Sequence, residues 1–155
     1  MTLSGKLEGD VEIKAPAALF HDVLSCRPHH LNNMAPDKIH GCELHKGEWG
    51  KVGTVICWDY THDGVKKVAK DVIEAIDDQK LSTTFKLVEG DLLKEYKDFK
   101  IIVQATPKPD GQGSLVHWTL EYEKLDPNDP DPTSLLEFCI NTSKDIEAHL
   151  TQAQA

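Results

Sequence analysis

The chain has 155 residues, 39% hydrophobic and 28% charged, with a formal net charge of −9 at pH 7. That length suits one domain over residues 1–155, burying roughly two thirds of its unfolded surface. With no apolar run near the ~20 residues of a membrane span, no signal-peptide core in "MTLSGKLEGD" and no basic tract, the expectation is a cytoplasmic protein that neither inserts into membranes nor binds nucleic acid.

In residues 5–13, Leu7, Gly9, Val11 and Ile13 alternate with Lys6, Glu8, Asp10 and Glu12, the pattern of a strand with one wet face. "PAALFHDVLS" from Pro16 predicts a short helix with Leu19, Phe20, Val23 and Leu24 turned inward, broken by Pro28. "HHLNNMA" adds a helical turn or two before Pro36, and "KIHGCEL" (38–44) reads as a weaker strand. Residues 53–61 and 65–76 form a hairpin about "HDG", a tight-turn signal. Leu81, Thr83, Phe85 and Leu87 mark the next strand, and Phe99, Ile101, Val103 and Ala105 the one over 95–106. Val116, Trp118, Leu120 and Tyr122 give the last strand its apolar face. "DPNDPDP" (126–132) is a loop because proline lacks a donor and fixes φ, with Asp131 as N-cap and Pro132 at the first helical position. Leu135, Leu136, Cys139, Ile140, Ser143, Ile146 and Leu150 then step by three and four along a helix of about five turns. The sum is an α+β fold, an antiparallel sheet whose apolar face the long helix covers.

Three glycines in "KGEWGKVGTVICWDY" invite a phosphate-cradle reading, but a dinucleotide fingerprint needs a helix after the glycines and here a strand follows. Gly47, Gly50 and Gly53 are therefore read as positions of positive φ in a tight loop. The four cysteines, Cys26, Cys42, Cys57 and Cys139, show no CxxC spacing and are expected as reduced thiols.

The segments "EGDVEI", "KGEWGKVGTV", "DYTHDG", "AKDVIEAID", "FKLVEGDLLKEYKDFKIIVQ" and "WTLEYEKL" closely resemble the major latex protein subfamily of the Bet v 1-like plant proteins, in order and spacing across nearly the whole chain. The ripening-related, kirola-type members are the most alike. The resemblance implies a START-like helix-grip fold: a seven-stranded curved antiparallel sheet around a long C-terminal helix, two short helices closing one end, and an internal cavity for apolar ligands. Residues 46–53 resemble the family's glycine-rich loop.

Strand parity nominates the residues of such a cavity: Trp58, Tyr60, Thr83, Phe85, Leu87, Phe99, Ile101, Val103, Val116, Trp118, Leu120 and Tyr122. Val23 and Leu24 from the first helix, and Leu136, Cys139, Ile140 and Ser143 from the last, would close it, with His30 at its mouth. An apolar and aromatic set with a few hydroxyls suits a hydrophobic ligand held by one or two polar anchors, such as a steroid, flavonoid, alkaloid or hormone-like molecule. Read by parity alone, the same set equally describes a packed core.

Relatives in this superfamily include a condensing enzyme and an isomerase, and proton transfer would need a titratable pair inside. The nominated faces carry no Lys, Asp, Glu or His. One strand differs: "VKKVAKDVIEAI" mixes charge into both parities, so a bulge is expected there that could turn Lys70 or Asp71 inward, against the cost of burying a charge. His29, His30, His40 and His45 lack metal-ligand spacing, and Asp59 and His62 have no visible third partner for a triad. "THDGV" and "VEGDLLKEY" do not resemble the gate and latch of the superfamily's hormone receptors. The expectation is a monomeric carrier of small hydrophobic plant metabolites or hormones in ripening, defence or stress, without cofactor or metal. An enzyme acting in the same cavity is the alternative.

Overall fold

The computed structural model describes residues 3–152, so the domain expected over 1–155 runs past it at both ends. The strands are β1 (Ser4–Ile13), β2 (Ile39–Lys46), β3 (Val55–His62), β4 (Val65–Asp77), β5 (Ser82–Gly90), β6 (Tyr96–Pro107) and β7 (Ser114–Lys124). The helices are α1 (Ala17–Cys26), α2 (Leu31–Met34) and α3 (Thr133–Gln152). A 3-10 turn (Pro28–His30) leads into α2, and another (Asp91–Lys94) joins β5 to β6. The strand order is β1-β7-β6-β5-β4-β3-β2, antiparallel throughout. The two edge strands, β1 and β2, are linked in sequence by α1 and α2.

The alternation in β1 is realised: Val11 and Ile13 are buried while Lys6, Glu8, Asp10 and Glu12 are not. Its inward residues face Leu120, Trp118 and Val116 of β7 across the ladder. Here α3 comes closest to the sheet, and Gly9 is the reason. A Cβ on Gly9 would stand 3.0 Å from Ile140 and 3.3 Å from Leu136. The Trp118 indole N–H donates to Ser143 Oγ at 2.8 Å, fixing the helix to β7 in the interior. Away from this contact the curved sheet and α3 separate.

Gly47, Gly50 and Gly53 all have positive φ (96°, 85° and 90°), and β3 starts two residues after the last of them. Three local expectations are corrected. Leu19 is exposed, because Phe20, Val23 and Leu24 already fill the face of α1 turned to the core. Asp131 does not cap α3 with its side chain; its carboxylate accepts from the Tyr122 hydroxyl at 2.8 Å and pairs with Lys124 at 3.0 Å. The helix begins at Thr133, and the Pro132 carbonyl accepts from the Leu136 N–H.

Candidate functional site: an apolar cavity with a buried carboxyl group

Between α3 and the limb of the sheet formed by β3, β4 and β5 lies a cavity of about 110 Å³. One water needs only about 10–15 Å³ by the same measure, so this space is molecular in size. Its lining comes from every layer: Leu24 of α1, Leu31 of α2, Ile39 of β2, Trp58 and Tyr60 of β3, Ala69 and Asp71 of β4. Phe85 and Leu87 of β5, Leu92 of the following turn, Ile101 of β6 and Trp118 of β7 continue it, and Leu135, Phe138, Cys139 and Thr142 of α3 complete it.

Eight of the nominated residues meet here: Leu24, Trp58, Tyr60, Phe85, Leu87, Ile101, Trp118 and Cys139. The others lie elsewhere. Val23, Thr83, Val103, Val116 and Ser143 are buried in the surrounding core without lining the space. Phe99 and Tyr122 stack with ring centroids 5.9 Å apart, and Leu120 is buried in the same cluster toward the far end of the sheet. Gly5 makes room for that stack, since its Cβ would stand 2.5 Å from the Tyr122 ring. Leu136 and Ile140 face β1 at Gly9. His30 is half-buried against the His29 ring, 4.4 Å away, and does not line the cavity. The glycine loop is also outside it. Trp49 of that loop stacks on His29 at 4.0 Å, and Gly50 sits against Cys26.

Of Lys70 and Asp71, the two charged residues that the irregular strand left open, Asp71 is the one turned inward. Odd-numbered Ala69, Asp71 and Ile73 of β4 are all buried, and the ladder to β5 then slips, so that Ile76 packs against the core instead. Two irregularities produce the mixed parity. Val88 has no opposite residue between the pairs Lys70–Glu89 and Asp71–Leu87, and Glu74 has none between Ile73–Phe85 and Ala75–Thr84. Lys70 turns the other way and pairs with Glu89 at 3.2 Å.

The cavity's polar groups gather on the β3–β4 wall. Asp71 pairs across the ladder with Ile56, and Trp58 with Ala69, so Trp58 and Asp71 are diagonal neighbours. The Trp58 Nε1, the Tyr60 hydroxyl and Asp71 Oδ1 are buried without a hydrogen-bond partner, which is unusual for interior polar atoms. Burial pushes the Asp71 carboxyl up to about 7; the nearby Trp58 N–H opposes the shift without completing a regular hydrogen bond. Burial, and then the charge of Asp71, push the Tyr60 hydroxyl and the Cys42 thiol far up. Burial takes Cys139 to about 12. Tyr60 and the two thiols are neutral at pH 7, which leaves both thiols poor nucleophiles.

Beside the cavity, the tip of the β3–β4 hairpin supplies the partner that the sequence did not reveal for His62. The His62 Nε2 lies 2.9 Å from Ser134 Oγ of α3, and Ser134 donates to Asp63 at 2.9 Å. Lys67 Nζ lies 2.9 Å from Nδ1. A lysine ammonium only donates, so Nδ1 accepts and the Nε2–H donates to Ser134. Serine activation needs Nε2 as the acceptor, so the polarity is reversed relative to a hydrolytic triad. The group is a clamp between hairpin and helix. Among the described residues, no cluster of three His, Cys, Asp or Glu side chains could hold a metal.

Reasoning from sequence missed Leu31, Ile39, Ala69, Leu92, Leu135, Phe138 and Thr142 as lining. Leu92 sits in the 3-10 turn between β5 and β6, outside the strands read by parity, and Phe138 lies off the three-and-four stepping of α3. Phe138 reaches the sheet because the strands wrap around the helix, bringing its ring 5.9 Å from Tyr60 and 6.0 Å from His62.

Comparison with known proteins agrees with this architecture. The family model described as the pathogenesis-related protein Bet v 1 family matches residues 2–153. MLP-like protein 31 of Arabidopsis thaliana is 54% identical over 149 residues, covering 96% of this chain and 87% of the relative. The crystal structure of ginseng major latex-like protein 151 from Panax ginseng superposes with a TM-score of 0.91 at 45% identity, covering 95% of this chain and 97% of that one. Norcoclaurine synthase from Thalictrum, solved with a transition-state analogue, shares the fold at a TM-score of 0.76 and 17% identity, over 100% of this chain and 99% of that one.

Proposed function

The chain belongs to the Bet v 1 family, and from that premise we propose that it binds and carries a small, largely apolar plant metabolite or hormone in the cavity under α3. The observation that carries this reading is a molecule-sized space with an almost wholly apolar lining and a few polar atoms on one wall. Burial of the ligand's apolar surface, at roughly 25 cal/mol per Å², supplies the driving force, and its lack of direction favours several ligand classes over one. Carriage takes place in the cytoplasm, by a monomer, in ripening, defence or stress.

Fluorescence titration with an apolar reporter dye, followed by competition with steroids, flavonoids and cytokinins, tests the proposal. Saturable one-to-one binding with displacement by more than one class is expected. Phe85→Asp, which puts a charge on the lining, is expected to abolish it. A folded wild-type sample that binds neither dye nor competitor would sink the carrier reading.

A second reading is supported by Asp71, whose carboxyl titrates near neutral pH in an apolar cavity, as a general acid or base requires. An isomerase or condensing enzyme would use it with Tyr60, which shares the same wall. Turnover of a bound ligand that Asp71→Asn removes while binding survives would favour that reading over carriage.

A further inference from the structure

Asp71 is buried, lines the cavity and leaves Oδ1 without a partner. An unpaired interior carboxylate is costly and does not stabilise a fold. No described residue offsets it: Lys70 is engaged with Glu89 on the other face. The groups turned toward it are Cys42 of β2 and Trp58 and Tyr60 of β3, with Cys139 of α3 on the cavity's helix side. All are uncharged at neutral pH. Asp91, also felt at Tyr60, lies outside the cavity lining and is paired with Lys94 at 3.1 Å. The wall therefore carries one unpaired acid and unused hydrogen-bonding capacity, while the rest of the lining is apolar.

We propose that Asp71, on the same wall as the Tyr60 hydroxyl, anchors the basic nitrogen of an otherwise apolar ligand, whose protonated amine supplies the countercharge that no described residue gives. This rests on the cavity being a ligand site, as argued under Proposed function. The ammonium donates to the carboxylate, the Trp58 N–H favours the ionised carboxylate, and the Tyr60 hydroxyl is a further unused polar group on the same wall. Ligands ending in a carboxylate are rejected, because two like charges would share a low-dielectric site.

Binding is also linked to a proton. The protonated fraction of Asp71 gives its proton to solvent as the ion pair forms, and the amine keeps its own. With the carboxyl at about 7, roughly half a proton per ligand leaves at pH 7, nearly one at pH 6 and almost none at pH 8.5.

The test uses three probes with one ring system and different tips: 1-naphthylmethylamine, 1-naphthylmethanol and 1-methylnaphthalene. By titration at pH 8, the amine is expected to bind about 10-fold or more tightly than the hydrocarbon, the range of a charge-assisted hydrogen bond. Asp71→Asn should erase that preference and keep hydrocarbon affinity within about 3-fold, since the side chain keeps its shape. Calorimetry of the wild type in buffers of different ionisation enthalpy should show the proton released with the amine and not with the hydrocarbon. This arm decides the matter even if the variant does not fold. Hydrocarbon binding without amine preference, or amine binding without proton release at pH 6, overturns the proposal and leaves the carrier reading standing. If a folded wild-type protein binds none of the three, both fall.

Discussion

At the scale of single residues, Asp71 makes the protein less stable as pH rises. Its folded value is about 7 against 3.8 for the free side chain, so between those values the unfolded chain has released a proton that the folded chain keeps. The stability it contributes is present below about pH 4 and is lost as pH rises through 7. Asp71→Asn is expected to flatten that decline, raising stability at pH 8 by at most on the order of 4 kcal/mol. Urea unfolding of both proteins from pH 4 to 8.5 measures it; parallel curves would refute the burial argument. His117 acts in the same direction in a higher window. Its ring lies between Asp10 and Glu8, and the hydrogen bond to Asp10 raises it above the usual histidine range. Its contribution is full below about 6.5 and disappears as pH rises through the folded value, so His117→Gln separates the two effects. Ser143→Ala should cost about 1–3 kcal/mol, because it leaves the buried Trp118 N–H without an acceptor. A loss below half a kcal/mol would mean the indole finds another partner.

At the scale of elements, the β3–β4 hairpin and α3 form one unit through Lys67, His62, Ser134 and Asp63. Burial, and then the nearby Lys67, lower the His62 pKa, so the folded clamp holds a neutral ring. The unfolded state binds the proton first, and stability falls as pH drops below about 6.5 through the lowered folded value. A proton on Nδ1 would also confront the Lys67 ammonium. Hydrogen-exchange protection across residues 61–66 is expected to decline on acidification, and Ser134→Ala to lower it at neutral pH. Unchanged protection in Ser134→Ala would show that the hairpin is held by Phe138 and Tyr60 instead. The β6–β7 connection is set differently. Gly113 has φ of 88°, and a Cβ there would lie 2.2 Å from the Ile13 carbonyl oxygen, which is backbone and cannot swing aside. Gly113→Ala should therefore destabilise by more than the ~1 kcal/mol of an unfavourable φ alone.

At the scale of the whole molecule, the question is whether the interior is hollow for a purpose. Ala69 lies on the cavity wall next to the acidic group, with Trp58 opposite it on β3. Ala69→Leu would fill part of the space. It should stabilise the protein by about 1 kcal/mol, as cavity-filling substitutions do, while weakening binding of the reporter dye. A gain in melting temperature together with lost binding is the signature of a functional cavity. A loss of stability with unchanged binding would place the ligand elsewhere.

Local chemistry written along the chain determined the strands, the turns and the long helix. Alternation in residues 5–13, Asp-Gly at the hairpin tip and three-and-four stepping after Pro132 are short-range signals, readable without knowing what each element meets. Six of the twelve strand residues nominated by the same parity line the cavity, Trp58, Phe85 and Trp118 among them. Tertiary structure decided the rest, because lining depends on where two surfaces separate, and a period of two or 3.6 carries no information about that distance. Phe99, Tyr122 and Ile140 point inward as parity requires but pack solidly, the last because Gly9 draws α3 onto β1. Phe138 and Leu92 face the space only because the sheet curls around the helix. Asp71 marks the boundary between the two kinds of information. Its place on an irregular strand was legible, but its burial depends on unpaired residues in β4 and β5 that only the ladder between them defines.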